Sequence, residues 1–328
     1  MLTLDRVSRV YRVGAFGSRQ LRAVDDVSLV VRPGEIVSLI GESGSGKSTI
    51  GRMILGLLRP TSGTITYGDT DVGSLRANDR RTYHRTVQGV FQDPFSAFNP
   101  VFKADRVFAM VRRQYAGGLG DAAWHAKVDR ALAAVGLEPA AVLDRYPHQL
   151  SGGQLQRLLV ARALLLDIDF LVADEITSML DASTRIDVLN MLADLTRRDL
   201  SILFITHDLN LGYYISDRTV ILYRGAVVEA GDTERIFDDP QHPYTRTLLA
   251  SVPRLDAPWA QRDDVGVPNL DDADVDAVAV GCAYRDRCPL AERALGCHER
   301  HPALVEIAPG HVVACHAVER EQHGRTRG

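Results

Sequence analysis

The chain has 328 residues, 38 Lys and Arg against 42 Asp and Glu, a formal net charge of −4, and 45% hydrophobic residues. That length accommodates a sizeable core plus a small appended unit, and the charge balance argues against a nucleic-acid binder that works through phosphate contacts. The longest apolar runs, such as Leu158 to Leu166, are too short to cross a bilayer and are interrupted by Arg162, and no signal peptide is apparent.

In chain order, Leu2-Thr3-Leu4 reads as a strand leading toward Tyr11, and Val27, Leu29 and Val31 alternate before an Arg32-Pro33-Gly34 turn, so the chain opens as a β-rich lobe. Glu35 to Ile40 reads as a buried strand and Thr49 to Leu58 as a helix. Between them, Gly41-Glu42-Ser43-Gly44-Ser45-Gly46-Lys47-Ser48-Thr49 fits G-x-x-x-x-G-K-[ST]. Strand, glycine loop, helix is the setting in which backbone N–H groups close around phosphate oxygens at a helix N-terminus. In that setting Lys47 reaches the β- and γ-phosphates of a nucleotide, and the Ser48 hydroxyl ligates Mg²⁺, a hard cation that prefers oxygen.

A helical subdomain is expected from about Asn99 to Leu159, with a turn at Gly117-Gly118-Leu119-Gly120 and a helix from Asp121 to Val135. Ser151, Gly152 and Gly153 open a further helix carrying Leu155, Leu158, Leu159 and Leu166. Phe170 to Asp174 is an apolar strand that delivers Asp174 and Glu175 to the edge where parallel sheets bind ligands. Ser201 to Thr206 delivers His207 to the same edge, and a hairpin is expected at Arg224-Gly225.

The phosphate loop, the pentapeptide Leu150-Ser151-Gly152-Gly153-Gln154, the phrase Val90-Phe91-Gln92-Asp93-Pro94, the paired acids Asp174-Glu175 and the following His207 resemble, in order, the motifs of ATP-binding-cassette (ABC) ATPases. The resemblance implies an α/β fold: a RecA-like P-loop core with an antiparallel β lobe, an inserted helical subdomain and a small cysteine-containing C-terminal tail. It implies that Gly41, Ser43, Gly44, Ser45, Gly46, Lys47, Ser48 and Thr49 bind ATP and that Tyr11 stacks on adenine. It implies that Gln92 senses Mg²⁺ and the attacking water, that Asp174 holds Mg²⁺ with Ser48 and Gln92, and that Glu175 is the general base, with His207 positioning water and γ-phosphate. Ser151, Gly152, Gly153 and Gln154 would touch ATP held by a second cassette, with Asp181 on the loop linking the two sites. Ile176 stands where most of the family has proline and Met179 where alanine is commoner, which puts the rigidity of that loop in question.

Asp239-Pro240-Gln241-His242-Pro243-Tyr244 and the residues that follow resemble oligopeptide and dipeptide importers of the peptide/nickel family. The expected organisation is a nucleotide core at 1–98 and 160–250, the helical subdomain at 99–159, an acidic linker at 251–280 and a cysteine-bearing extension at 281–328. Seven aspartates between Leu255 and Val280 suit a solvated linker. Cys282, Cys288, Cys297 and Cys315 are the only cysteines. Their spacing lacks the C-x-x-C pairs of zinc ribbons, and the resemblance to cysteine-containing tails of peptide-importer ATPases implies a [4Fe–4S] cluster, with zinc or no metal as the alternatives. His298, His301, His311 and His316 read mostly as surface residues.

The resemblance further implies a second, related but different ATPase chain, two transmembrane permease subunits contacted through Phe95 to Phe102, and an extracytoplasmic substrate-binding protein, with the chain peripheral on the cytoplasmic face of the membrane and no nucleic acid. Peptides are the default cargo, oligosaccharides the alternative and nickel chelates a third. A DNA-repair relative would carry a long coiled coil before the pentapeptide, which is absent here. A pure adapter would not need Glu175 and His207.

Overall fold

The computed structural model describes residues 1–13, 19–251, 280–292 and 295–325. The expected acidic linker lies outside the described residues except for Ser251 and Val280. Among the described residues twelve strands form two sheets: β1 (Leu2–Val13), β2 (Arg19–Val31), β3 (Ile36–Ile40), β4 (Ser62–Tyr67), β5 (Thr70–Asp71), β6 (Val87–Val90), β7 (Phe170–Asp174), β8 (Ser201–Thr206), β9 (Arg218–Tyr223), β10 (Ala226–Asp232), β11 (Val305–Ala308) and β12 (His311–Val313). The smaller sheet, ordered β2-β1-β4-β5, is antiparallel throughout and forms the expected β lobe.

The larger sheet runs β11-β12-β10-β9-β3-β8-β7-β6. Its stretch from β9 to β6 is parallel, and β3, β7 and β8 are buried at every position. Covering both faces of a parallel sheet is what such continuous apolar runs require. One hydrophobic cluster joins Ala173 and Phe204 to the helices between β6 and β7, and another joins the β lobe to the helix Lys47–Ile54.

One expected boundary needs correction. The helix after the phosphate loop begins at Lys47 and ends at Ile54, short of Leu58. Gly56 at φ 65° lets the Leu57 N–H reach the Arg52 carbonyl (2.9 Å) and the Gly56 N–H the Met53 carbonyl (3.0 Å), a Schellman stop. The C-terminal extension joins the fold through β12, which pairs with β10 and extends the central sheet.

A buried carboxylate fastens that extension. Glu229 on β10 is fully buried and takes the His311 Nε2 at 2.8 Å, the Gln241 N–H at 2.8 Å and the His242 N–H at 2.9 Å. These bonds together hold its carboxyl below the usual range, although burial alone pushes the other way. His311 and His316 are therefore buried and hydrogen-bonded, contrary to their reading as surface groups, whereas His298 and His301 are exposed. The expected hairpin is present between β9 and β10, with Arg224 at φ 44° and Gly225 at φ 87°, the doubly left-handed geometry that matches strand twist.

Candidate active site

The phosphate loop sits between the two sheets. A Cβ on Gly46 would stand 2.2 Å from the Ala23 carbonyl of β2, and one on Gly41 would stand 2.1 Å from the Leu222 carbonyl of β9, so neither position admits a side chain. The Gly225 N–H donates to the Ser45 carbonyl at 2.9 Å, tying the loop to the β9–β10 hairpin. Ser43 and Gly44 form its exposed tip. Gly46, at φ 101°, is the N-cap of the helix Lys47–Ile54 and supplies no side-chain cap, which leaves the first-turn N–H groups as donors for an anion. Thr49 follows in that first turn, half-buried.

Lys47 is buried, and its Nζ donates to the Gly41 carbonyl at 2.7 Å and the Glu42 carbonyl at 2.8 Å. Burial pulls its ammonium below the usual lysine range, against the opposing pull of the Glu175, Asp174 and Glu42 carboxylates. Ser48 Oγ donates to Asp174 Oδ1 at 3.1 Å across the space between the helix and the end of β7. Burial raises the Asp174 carboxyl from its ordinary range despite the Ser48 bond. A hydroxyl and a carboxylate side by side, next to a phosphate loop, fit Mg²⁺; bound there, the ion would neutralise phosphate charge.

Glu175 lies at φ 51°, a left-handed conformation costly for a residue with a side chain, and its N–H is held by the Ile205 carbonyl at 2.9 Å. Its Oε1 is 3.2 Å from His207 Nδ1 at the end of β8. The same sheet edge thus carries Lys47, Ser48, Asp174, Glu175 and His207: an ammonium, a hydroxyl, two carboxylates and an imidazole. This constellation suits phosphoryl transfer to water. Gln92 lies just past β6, beside β7, and is exposed. Tyr11 is half-buried on β1 with the Arg9 guanidinium 4.7 Å from its ring centroid.

Ser151 is the N-cap of the helix Gly152–Leu164, accepting the Gln154 N–H at 3.2 Å while Gln154 Oε1 takes the Ser151 N–H at 2.9 Å. A Cβ on Gly153 would meet Thr184 Cγ2 at 2.4 Å. Thr184 in turn bonds Asp181, the N-cap of the helix Ala182–Thr196, through Oγ1 at 2.7 Å and its N–H at 3.0 Å. Ser183 and Thr184 together hold the Asp181 carboxyl far below the usual range. The pentapeptide and Asp181 therefore form one packed unit. Among the described residues no hydrogen bond or ion pair joins this unit to the phosphate loop.

The loop between Glu175 and Asp181 does not depend on proline for its shape. Ile176 is buried in the core, Ser178 donates to the Glu175 carbonyl through its N–H (3.1 Å) and Oγ (3.0 Å), and Arg185 Nε donates to the Leu180 carbonyl at 2.8 Å.

Residues 24–178 match the ABC transporter family, and residues 228–297 match the C-terminal region of oligopeptide/dipeptide transporters. A peptide import ATP-binding protein of Brucella ovis is 41% identical over 306 residues, covering 91% of this chain and 92% of that protein. The chain belongs to the ABC transporter ATP-binding family, in its oligopeptide/dipeptide branch. The oligopeptide transport ATP-binding protein AppF of Bacillus subtilis is 37% identical over 308 residues, covering 90% of this chain and 89% of that one. Among solved structures, the cassette MJ0796, dimeric and bound to ADP and Pi in a post-hydrolysis state, matches 71% of this chain and 99% of its own with a TM-score of 0.64 at 28% identity. This ABC subunit is an ATPase coupled to transport. Among the described residues no helix is long and apolar enough to cross a membrane.

The cysteine expectation fares differently. Burial raises the Cys282 thiol to about 11, and the Cys282 N–H donates to the Cys297 carbonyl at 2.9 Å. Among the described residues no group of three or more His, Cys, Asp or Glu side chains is arranged to hold a metal ion. Neither the [4Fe–4S] cluster nor zinc gains support from this geometry.

Sequence reasoning passed over Arg287 and the side chain of Glu42. Their pairing spans 245 positions, and no local pattern signals it.

Proposed function

We propose that this ABC ATPase energises peptide uptake: two cassettes close on ATP, Glu175 polarises the attacking water, and His207 and Gln92 hold that water and the γ-phosphate in line. Lys47 and the loop N–H groups bind the phosphates, Ser48 and Asp174 hold Mg²⁺, Tyr11 stacks on the base, and Ser151 to Gln154 complete the partner cassette's site. The observation that carries the hydrolytic reading is the Glu175–His207 contact of 3.2 Å on the edge where Ser48 meets Asp174. The match of residues 228–297 to the peptide-transporter C-terminal region favours peptides over oligosaccharides.

Docking on two membrane permeases, at the cytoplasmic face and fed by an extracytoplasmic binding protein, is supported by an apolar surface after Gln92. Phe95, Val101, Phe102 and Met110 are exposed there, and Arg106 lies over the Phe102 ring at 3.5 Å. Apolar side chains grouped in this way mark a protein contact. The proposed organisation keeps the core at 1–98 and 160–250 and the helical subdomain at 99–159.

The test is uptake in cells whose chromosomal copy carries Glu175→Gln, with labelled short peptides and labelled oligosaccharides. Loss of peptide uptake is expected. Loss of sugar uptake alone would move the chain to a carbohydrate importer, and retention of both would overturn transport as its role.

A further inference from the structure

A carboxylate inside a phosphate-binding loop calls for an account, because a negative charge near bound phosphates opposes their binding. Glu42 is that group. Arg287 Nη1 lies 3.2 Å from both its Oε1 and its Oε2. Arg287 closes the turn Arg285–Arg287, which lies between Cys282 and Cys288 in the C-terminal extension.

The main chain of Glu42 is held by the same neighbourhood. Its N–H donates to the Tyr244 hydroxyl at 3.2 Å, while its carbonyl accepts Lys47 Nζ at 2.8 Å and the Ser45 N–H at 3.2 Å. Tyr244 is fully buried and packs on Tyr223 and Tyr284, with ring centroids 4.5 and 5.4 Å away. Tyr284 belongs to the same C-terminal turn as Arg287, and its ring centroid is 5.9 Å from the Arg287 guanidinium.

We propose that Arg287 is a positioning residue for ATP: from the C-terminal extension it neutralises Glu42 and, with Tyr244, fixes the first turn of the phosphate loop. Two physical effects follow. The paired carboxylate presents no net charge to the incoming phosphates, and a loop with glycines at 41, 44 and 46 loses less conformational freedom on binding because one end is already anchored. The arrangement makes the extension part of the nucleotide site of its own chain. This inference rests on the phosphate loop being the ATP site.

The experiment is calorimetric titration of the full-length chain with MgATP at low and high salt. Arg287→Gln should weaken binding about fivefold at low salt, the scale of a half-exposed ion pair, and less at high salt, where the bare Glu42 charge is screened. Adding Glu42→Gln to Arg287→Gln should restore most of the affinity, an outcome that a general loss of folding would not give. Unchanged affinity in Arg287→Gln, or a double variant as weak as that single one, would overturn the proposal. Lys47→Met separates it from the reading beneath: wild type binding MgATP no better than Lys47→Met would remove the ATP site itself, and the proposal with it.

Discussion

Two helices of this molecule begin with glycine-rich turns, and their N-termini are finished in opposite ways. At the phosphate loop the cap is Gly46, with no side chain to satisfy the first-turn N–H groups. At the pentapeptide the cap is Ser151, locked with Gln154 in a reciprocal capping box. The first terminus is buttressed on both sides by its own chain, through Ala23 and Leu222, and faces Asp174 through Ser48. The second leans on Thr184 and leaves Ser151 exposed. The difference teaches that helix dipoles and glycines alone do not define a nucleotide site. One terminus is enclosed by its own chain, whereas the other leaves its cap exposed, and it is this exposed terminus that we propose meets a second cassette.

Removing the cation is the strongest way to break the first half of the comparison. Lys47→Met deletes a buried donor with two carbonyl partners, and hydrogen bonds to charged groups contribute about 1.5–3 kcal/mol, so MgATP affinity of the single chain should fall roughly 10- to 100-fold. Equilibrium titration with MgATP checks this. An affinity within twofold of wild type would mean that the loop amides alone hold the phosphates.

The second half is sharpened by Gly153→Ala. Its Cβ would stand 2.4 Å from Thr184 Cγ2, and Thr184 cannot turn away without releasing Asp181. Over-packing of this kind costs about 1–3 kcal/mol. The expected result is a lower unfolding midpoint and slower phosphate release by the assembled transporter, with the single-chain MgATP affinity unchanged. A loss of that affinity would show that the two termini communicate within one chain.

Much of this contrast was legible in the sequence because its chemistry is local. The loop 41–49 needs only a strand before it and a helix after it, and Asp174 ends one apolar strand while Glu175 and His207 directly follow strands that end where expected. The helix stops short of Leu58 because Gly56, which helical periodicity passes over, takes a positive φ that ends the helical hydrogen bonding. The C-terminal strands were invisible for a different reason. β11 and β12 are four and three residues long, too short to show alternation, and the strand that ties them to the sheet, β10, pairs with β12 from far back in the chain. His311 passed for a surface residue because Glu229, which makes its burial tolerable, lies 82 positions away. Arg287 and Glu42 escaped on the same ground: a charge pair between distant segments leaves no period or motif to read.

The smallest effect tests whether the capping box is what holds the second terminus ready. Ser151→Ala removes the acceptor for the Gln154 N–H while leaving the Gln154 side chain able to take the residue 151 N–H. Loss of an N-cap hydroxyl costs about 1 kcal/mol, which chemical denaturation of the single chain should read as a small drop in stability. Ser151→Thr keeps an acceptor at the same place and should recover that stability. If alanine and threonine unfold alike, the order at this terminus comes from the Gly153–Thr184 packing and not from the cap, and the two helix starts would differ in their buttresses more than in how their N–H groups are satisfied.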